Sequence, residues 1–415
     1  MRLGLQFNPV DAVLSLAGAA ALVAMPFLRV AANRMVSGEP VYLWSLLQSP
    51  AATLATLLAA LLLALLMSVA FKPTRAVVWL QLGVASISMV LLLAVAGTYA
   101  SHVAATQSAY ARTSLGGTWW VLLVVLWLMA QDALQSLKVG LGLRTGLLAT
   151  VVLLVAWMLG SEWCNDLSIM KEYANRSDTF AAAAMQHMLI VLLAMVPTLL
   201  IGVPLGWWMH KVRATQQSLF PVLNVIQTIP SIALFGLLMA PLAWLAAVFP
   251  ALAKAGISGV GMAPGVIALT LYALLPVVRG TLAGLEQVPS SVVDAARGMG
   301  MSATQVFTRV ELPLALPVLL GGVRTATVSA VGLASVTALI GAGGLGAIMF
   351  EGLFSSAQDL VLLGVLPTVA LSVLTDTVFK VLVKLAQPAH NTQPNTTPNT
   401  TPNTAQSKPP GAATL

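Results

Sequence analysis

Apolar residues in this chain gather into unbroken runs instead of alternating with polar ones. Such runs fall at 11–30, 51–71, 77–98, 117–131, 145–160, 184–208, 218–240, 264–283, 314–340 and 357–379. A helix needs about 20 apolar residues to cross the hydrocarbon of a bilayer, while a spanning strand needs about 10 that alternate. The pattern therefore predicts about ten transmembrane helices. The stretch 241–253 is apolar but interrupted by Pro241 and Pro250, and reads as an outer or re-entrant segment. The first run follows Arg2 and exceeds the about 7–15 residues of a cleavable signal, so a retained span is expected.

The polar positions between runs orient the helices. An N-terminus inside places Lys72, Arg75, Lys138, Arg144, Lys211, Arg213, Arg297, Arg309, Lys380 and Lys384 in the cytoplasm. It leaves Arg34, Arg112, Lys171, Arg176 and Lys254 outside, which is the expected bias of basic residues. Arg29 followed by Arg34 runs against it. The stretch 161–183, with Glu162, Asp166, Glu172 and Asp178, suits an outward, periplasmic loop and a boundary. The expected organisation is an N-terminal membrane region of about five helices over 1–160, that loop, and a second set of spans over 184–386. The tail 387–415 repeats a Pro-Asn-Thr theme and is expected to be disordered.

Composition agrees. Apolar residues are 58% of the 415 and charged residues only 8%, against about 25% charged in soluble domains. Lipid must solvate most of the surface, and in lipid every backbone polar group must be paired internally. The fold class is an all-α integral membrane protein. The net charge of +7 comes from basic residues scattered between spans, so a nucleic-acid partner is not expected. A single cysteine, Cys164, excludes a disulfide framework within the chain and a cysteine metal cluster. The histidines at 102, 187, 210 and 390 share no ligand spacing. No His-Glu-x-x-His helix, nucleophile elbow or P-loop occurs. No catalytic residue, metal or cofactor is expected here, and ATP, if used, must be bound by another chain. Gly341-Ala-Gly343-Gly-Leu-Gly346 satisfies the dinucleotide fingerprint but follows an apolar helix instead of a strand. It is expected to break that helix near the outer surface.

The richest loop is 286–313, EQVPSSVVDAARGMGMSATQVFTRVELP, placed in the cytoplasm. Ser291 and Asp294 have capping-box spacing, as do Ser302 and Gln305. The expected shape is a short helix, a turn at Gly298 or Gly300, and a second helix entering the membrane at Leu312-Pro313. Physics alone allows either a helix that docks on another protein or an amphipathic interfacial loop.

This stretch resembles the cytoplasmic EAA loop of binding-protein-dependent ABC importer permeases. Asp294-Ala295-Ala296, Gly298 and Leu312-Pro313 match at the right spacing, with Asp in place of Glu. The resemblance covers roughly 184–380 and implies a five-helix type I (MetI-like) permease core. It also implies that Asp294, Ala295, Ala296, Arg297, Gly298, Gly300, Leu312 and Pro313, within the loop 285–313, couple the chain to an ATP-binding subunit. A periplasmic substrate-binding protein and a second permease copy or paralogue are the further implied partners. Val225-Ile-Gln227-Thr-Ile-Pro230-Ser231, Leu275-Pro276-Val-Val-Arg279-Gly280-Thr281 and Ile340-Gly-Ala-Gly-Gly-Leu-Gly346 look most like permeases for glycine betaine, choline and similar osmoprotectants. Methionine and sulfonate permeases share parts of these patterns. The extra N-terminal spans resemble the longer betaine-permease subtype.

Other polar residues mark the spans. Gln227, Thr228 and Pro230 interrupt an apolar run and suit either a solute path or a packing kink. Arg324 is expected to snorkel inward or to pair with Glu286 or Asp294, and Asp376 to pair with Lys380 one turn on. Trp119-Trp120, Trp163 and Trp207-Trp208 are read as interface anchors. A secondary transporter would need intramembrane charges or inverted repeats, and few such charges and no repeat are seen.

Overall fold

The computed structural model describes residues 8–34, 36–108 and 110–387, so the expectations for the tail beyond Gln387 and for Arg2 lie outside the described residues. Helix α1 (Pro9–Ala24) starts where Asn8 caps the Val10 amide and Pro9 fills the first turn. Strands β1 (Leu28–Ala31) and β2 (Glu39–Val41), the short α2 (Leu43–Leu46), α3 (Ala52–Ser68) and α4 (Arg75–Thr106) follow. Then come β3 (Arg112–Leu115), α5 (Gly117–Ser136), α6 (Leu141–Gly160) and α7 (Ser168–Ala174). The later region contains α8 (Ser177–Lys211), α9 (Ala214–Thr228), α10 (Ser231–Val248), α11 (Pro250–Lys254) and α12 (Met262–Glu286). It closes with α13 (Ser290–Gly298), α14 (Ala303–Val306), α15 (Leu312–Ala334), α16 (Leu345–Phe354) and α17 (Gln358–Ala386).

Among the described residues, eight helical runs are long and apolar enough to cross a membrane: α4, α5, α6, α8, α10, α12, Ala303–Ala334 and α17. Shorter apolar helices α1 and α3 occupy the first two expected spans. The ten segments thus match in order, with one displaced. The span expected at 218–240 is broken at Ile229-Pro230, and α10 instead runs to Val248 through Pro241, so 241–248 is membrane helix and only α11 is an outer turn. The break follows from Pro230, which has no N–H and holds the residue before it extended. The stretch 161–183 is also more helical than a loop: it holds α7 and the first turns of α8.

A three-stranded antiparallel sheet, unforeseen from the apolar runs, closes the outer end of the N-terminal helices in the order β2-β1-β3. Its strands are only 3 to 4 residues long, too short to leave a periodic signal. Here two of the basic residues expected on the outer side, Arg34 among them, find a partner. Arg34 and Arg112 both face the buried Glu172 carboxylate, at 3.4 and 3.5 Å. The same outer end meets the later helices through Ser114 Oγ donating to Asp359 (2.6 Å) and Arg176 to Glu351 (2.6 Å).

Two more expectations change. Trp119 is buried and donates its indole N–H to the Leu92 carbonyl at 2.9 Å, so it packs the core instead of anchoring an interface. Arg324 pairs with Asp376 on α17, Nε to Oδ1 2.6 Å, and not with Glu286 or Asp294. Asp376 does meet Lys380, at 2.7 Å. The glycine run behaves as a turn. Gly341, Gly343 and Gly344 all have positive φ, and a side chain at Gly346 would collide with the Ser335 carbonyl.

Candidate functional site

Two sites emerge, at different heights on the same pair of helices. The first is the hairpin between α12 and α15. Helix α13 opens after Pro289, with no side-chain cap, so the capping box expected at Ser291 and Asp294 does not form. Pro289 itself ends the preceding helix and presets the entry. The second box does form: Ser302 Oγ accepts from the Gln305 amide and Gln305 Oε1 accepts from the Ser302 amide. Between them Gly300, at φ +82°, reverses the chain, and the Met301 amide returns to the Ala296 carbonyl at 3.2 Å. Gly298 remains helical.

The hairpin has an inner and an outer face. Ala296 is only 2% exposed and packs inward. Asp294, Ala295, Arg297 and Gly298 all face out, and Met299 is 72% exposed. Asp294 and Arg297 lie 3.7 Å apart one turn along that face, a solvent-exposed pair worth little by itself. The outer face therefore combines small residues at Ala295 and Gly298 with one charge pair and the exposed Met299. A substitution at Ala296 would test the packing of the hairpin, and one at Ala295 its surface.

Between hairpin and membrane lies a wide turn, Phe307–Glu311, in which the Leu312 amide reaches back five residues to Phe307. Pro313 and Pro317 have no N–H for the α-helical ladder, which loosens this stretch. Leu312 is half-buried and Pro313 exposed at the start of α15. Glu311 itself is buried at the foot of the hairpin, a residue the motif spacing did not mark.

The second site is an open-sided cavity of about 890 Å³ lined by residues of α9, α12 and α15 and the break before α10. Gln227, Thr228 and Pro230, singled out from the sequence, all line it. The break is closed by α12. Gln227 Nε2 donates to the Tyr272 carbonyl at 2.9 Å, and the Tyr272 hydroxyl donates to the Ile229 carbonyl, which the break leaves outside both helices. Tyr272 lies near the middle of α12, so the unwound backbone is at mid-height, where lining a cavity is what makes it tolerable. Arg279 donates to Asn224 Oδ1 at 2.8 Å and lies over the Phe220 ring at 5.8 Å. Gly321, Thr325 and Ser329 also line the cavity. Their spacing of four residues on α15 was the signal available for them.

The hairpin residues and the cavity residues do not touch. Helices α12 and α15 connect them: their inner ends carry the hairpin and their middles form the cavity wall. Such an architecture, a helical bundle whose hairpin sits between two cavity-lining spans, fits a multi-span membrane transport subunit.

Comparison with known proteins places it more narrowly. The model for the binding-protein-dependent transport system inner membrane component matches residues 198–388. A second, for the N-terminal domain of the ABC transporter permease YehY, matches residues 5–170. The osmoprotectant import permease protein OsmW of Salmonella typhimurium is 40% identical over 201 residues, 47% of this chain and 86% of that one. The choline transport system permease protein OpuBB of Bacillus subtilis is 33% identical over 204 residues, 49% of this chain and 87% of that one. A solved inward-facing MetNI methionine ABC transporter aligns with 52% of this chain at 20% identity and a TM-score of 0.45. The chain belongs to the binding-protein-dependent transport system inner membrane component family, and is an inner-membrane permease subunit.

Proposed function

We propose that this chain is the permease of an ATP-driven importer for a quaternary-ammonium osmoprotectant such as glycine betaine or choline. A separate ATP-binding subunit grips the outer face of α13, at Asp294, Ala295, Arg297, Gly298 and the Gly300 turn. Ala296 holds that face in place from behind, and Leu312-Pro313 joins the hairpin to α15. The observation that carries this reading is the hairpin itself: a small-sided, exposed helix fixed between the two spans that wall the cavity. A periplasmic binding protein delivers solute at the outer end, and two permease copies, identical or paralogous, face one another across the open side of the cavity. Solute passes Gln227, Thr228 and the unwound backbone at Pro230.

The lining suits the zwitterion glycine betaine better than the cation choline. It offers hydroxyls, an amide and one arginine, with no carboxylate among its residues. A carboxylate there would hold a quaternary ammonium too tightly for release. The names of the osmoprotectant and choline relatives supply the substrate class.

The test joins site and substrate. An Ala295→Cys chain, reconstituted with its ATP-binding subunit, is expected to cross-link to that subunit. The same vesicles should accumulate labelled glycine betaine or choline in the presence of ATP and binding protein. Ala295→Trp should abolish uptake and leave the chain folded. Uptake of methionine alone would overturn the substrate class, and a surface at Ala295 reactive only from outside would overturn the coupling.

A further inference from the structure

Glu311 occupies the last position of the wide turn and is 5% exposed. Its Oε2 makes no hydrogen bond. Lys211 Nζ stands 3.8 Å from that oxygen, within Coulomb range but beyond a hydrogen bond. Lys211 is the last residue of α8. The ion pair therefore ties the inner end of α8 to the junction between hairpin and α15. The Trp207 and Phe307 rings meet beside it, with centroids 5.6 Å apart.

Helix α8 is 35 residues long, about 50 Å at 1.5 Å per residue. Its outer end holds the glycine turn: Gln186 Nε2 donates to the Ala342 carbonyl at 2.8 Å, and His187 Nε2 lies 3.1 Å from the Val331 carbonyl. Along its length it is seated on α12, because side chains added at Gly202 or Gly206 would fall 2.9 Å from Val277 and 2.7 Å from Thr281. One helix thus touches the hairpin at one membrane face and the outer turn at the other.

A turn closed five residues back bends more readily than the helix on either side of it. A pull on α13 would be absorbed there unless something braces it. We propose that Lys211 and Glu311 are positioning residues that brace this turn, so that displacement of the hairpin passes through α8 to the glycine turn and α16. This inference rests on the importer reading and adds the route by which ATP-driven movement reaches the outer end. The 3.8 Å gap leaves room for the pair to tighten when the hairpin is pulled.

The reporter is Phe354→Cys at the end of α16, a position 76% exposed. The native Cys164 is buried, and burial pushes its thiol up to about 11, so maleimide at neutral pH reads the introduced thiol. In the complete complex, a non-hydrolysable ATP analogue should change the labelling rate at that position by at least about fivefold, the low end of coupling between distant sites. Glu311→Gln should reduce the change to less than about twofold and lower solute moved per ATP hydrolysed. Lys211→Gln, which leaves the buried side chain in place, should do the same. The exchanged pair Lys211→Glu with Glu311→Lys should restore the response. An unchanged response in both single variants, or no recovery in the exchanged pair, would overturn the brace. A wild-type complex that transports but shows no nucleotide-dependent change at this position would overturn it too. A wild-type complex that neither transports nor hydrolyses ATP would instead remove the importer reading beneath it.

Discussion

Helices α3, α4 and α5 meet through Leu58, Leu65, Leu92, Leu126 and Met129, all buried. Helices α8, α12 and α15 also bury Ile190, Leu269 and Leu319 together, but approach most closely at Gly202, Gly206, Gly280, Gly284 and Gly322. In the first region large side chains interdigitate, and an apolar cavity of about 240 Å³ lies between α1, α3 and α5. In the second the backbones themselves approach, and the cavity beside them is open, mixes polar with apolar lining, and is about 890 Å³. Interlocked side chains hold one arrangement, since each must leave its slot before a helix can shift. Small residues allow close approach over smooth surfaces. The contrast predicts that the N-terminal helices hold one arrangement while the later ones shift more readily. The outer bonds Ser114 to Asp359 and Arg176 to Glu351 join the static part to the moving one.

The sharpest way to break this contrast is to enlarge a contact in the moving region. A Cβ at Gly322 would stand 2.6 Å from the Pro276 carbonyl and 2.8 Å from the Gly280 Cα. Gly322→Val should destabilise the chain by at least about 3 kcal/mol and abolish transport. Thermal unfolding in detergent together with uptake measures both. Truncation in the static region comes next. Leu92 is fully buried, and Leu92→Ala should cost about 2–5 kcal/mol with transport per folded molecule unchanged. Equal loss of transport in both variants would erase the distinction. The smallest effect separates the two halves of the hairpin. Ser302→Ala removes a formed cap and should cost about 1 kcal/mol, while Ser291→Ala removes none and should fall within about 0.5 kcal/mol of the parent. Unfolding midpoints of the two variants decide it.

The hairpin was legible because its punctuation is local. Pro289, Gly300, the Ser302 and Gln305 pair and Pro313 each act on their own neighbours along the chain. The same locality misled at Ser291 and Asp294, where the right spacing met a helix already begun by Pro289. Gln227, Thr228 and Pro230 stood out because polar residues and proline are conspicuous in an apolar run. Tyr272 did not, since its role depends on facing Ile229 across two helices. Glu311 looked like one more loop charge until the fold buried it beside Lys211.

What the chain determines unaided is the order of its apolar segments, the side on which each end is expected, and where the hairpin between α12 and α15 lies. Hydrophobic run length, basic residues and turn chemistry encode these one position at a time. Tertiary structure decided which way each helix turns and what it meets: Ala296 inward, Arg324 to Asp376, Lys211 to Glu311, and α10 displaced to 231–248. In a uniformly apolar helix every face suits lipid equally well, so periodicity carries almost no information about azimuth. Only the neighbouring helices, with their glycines and their few charges, select one.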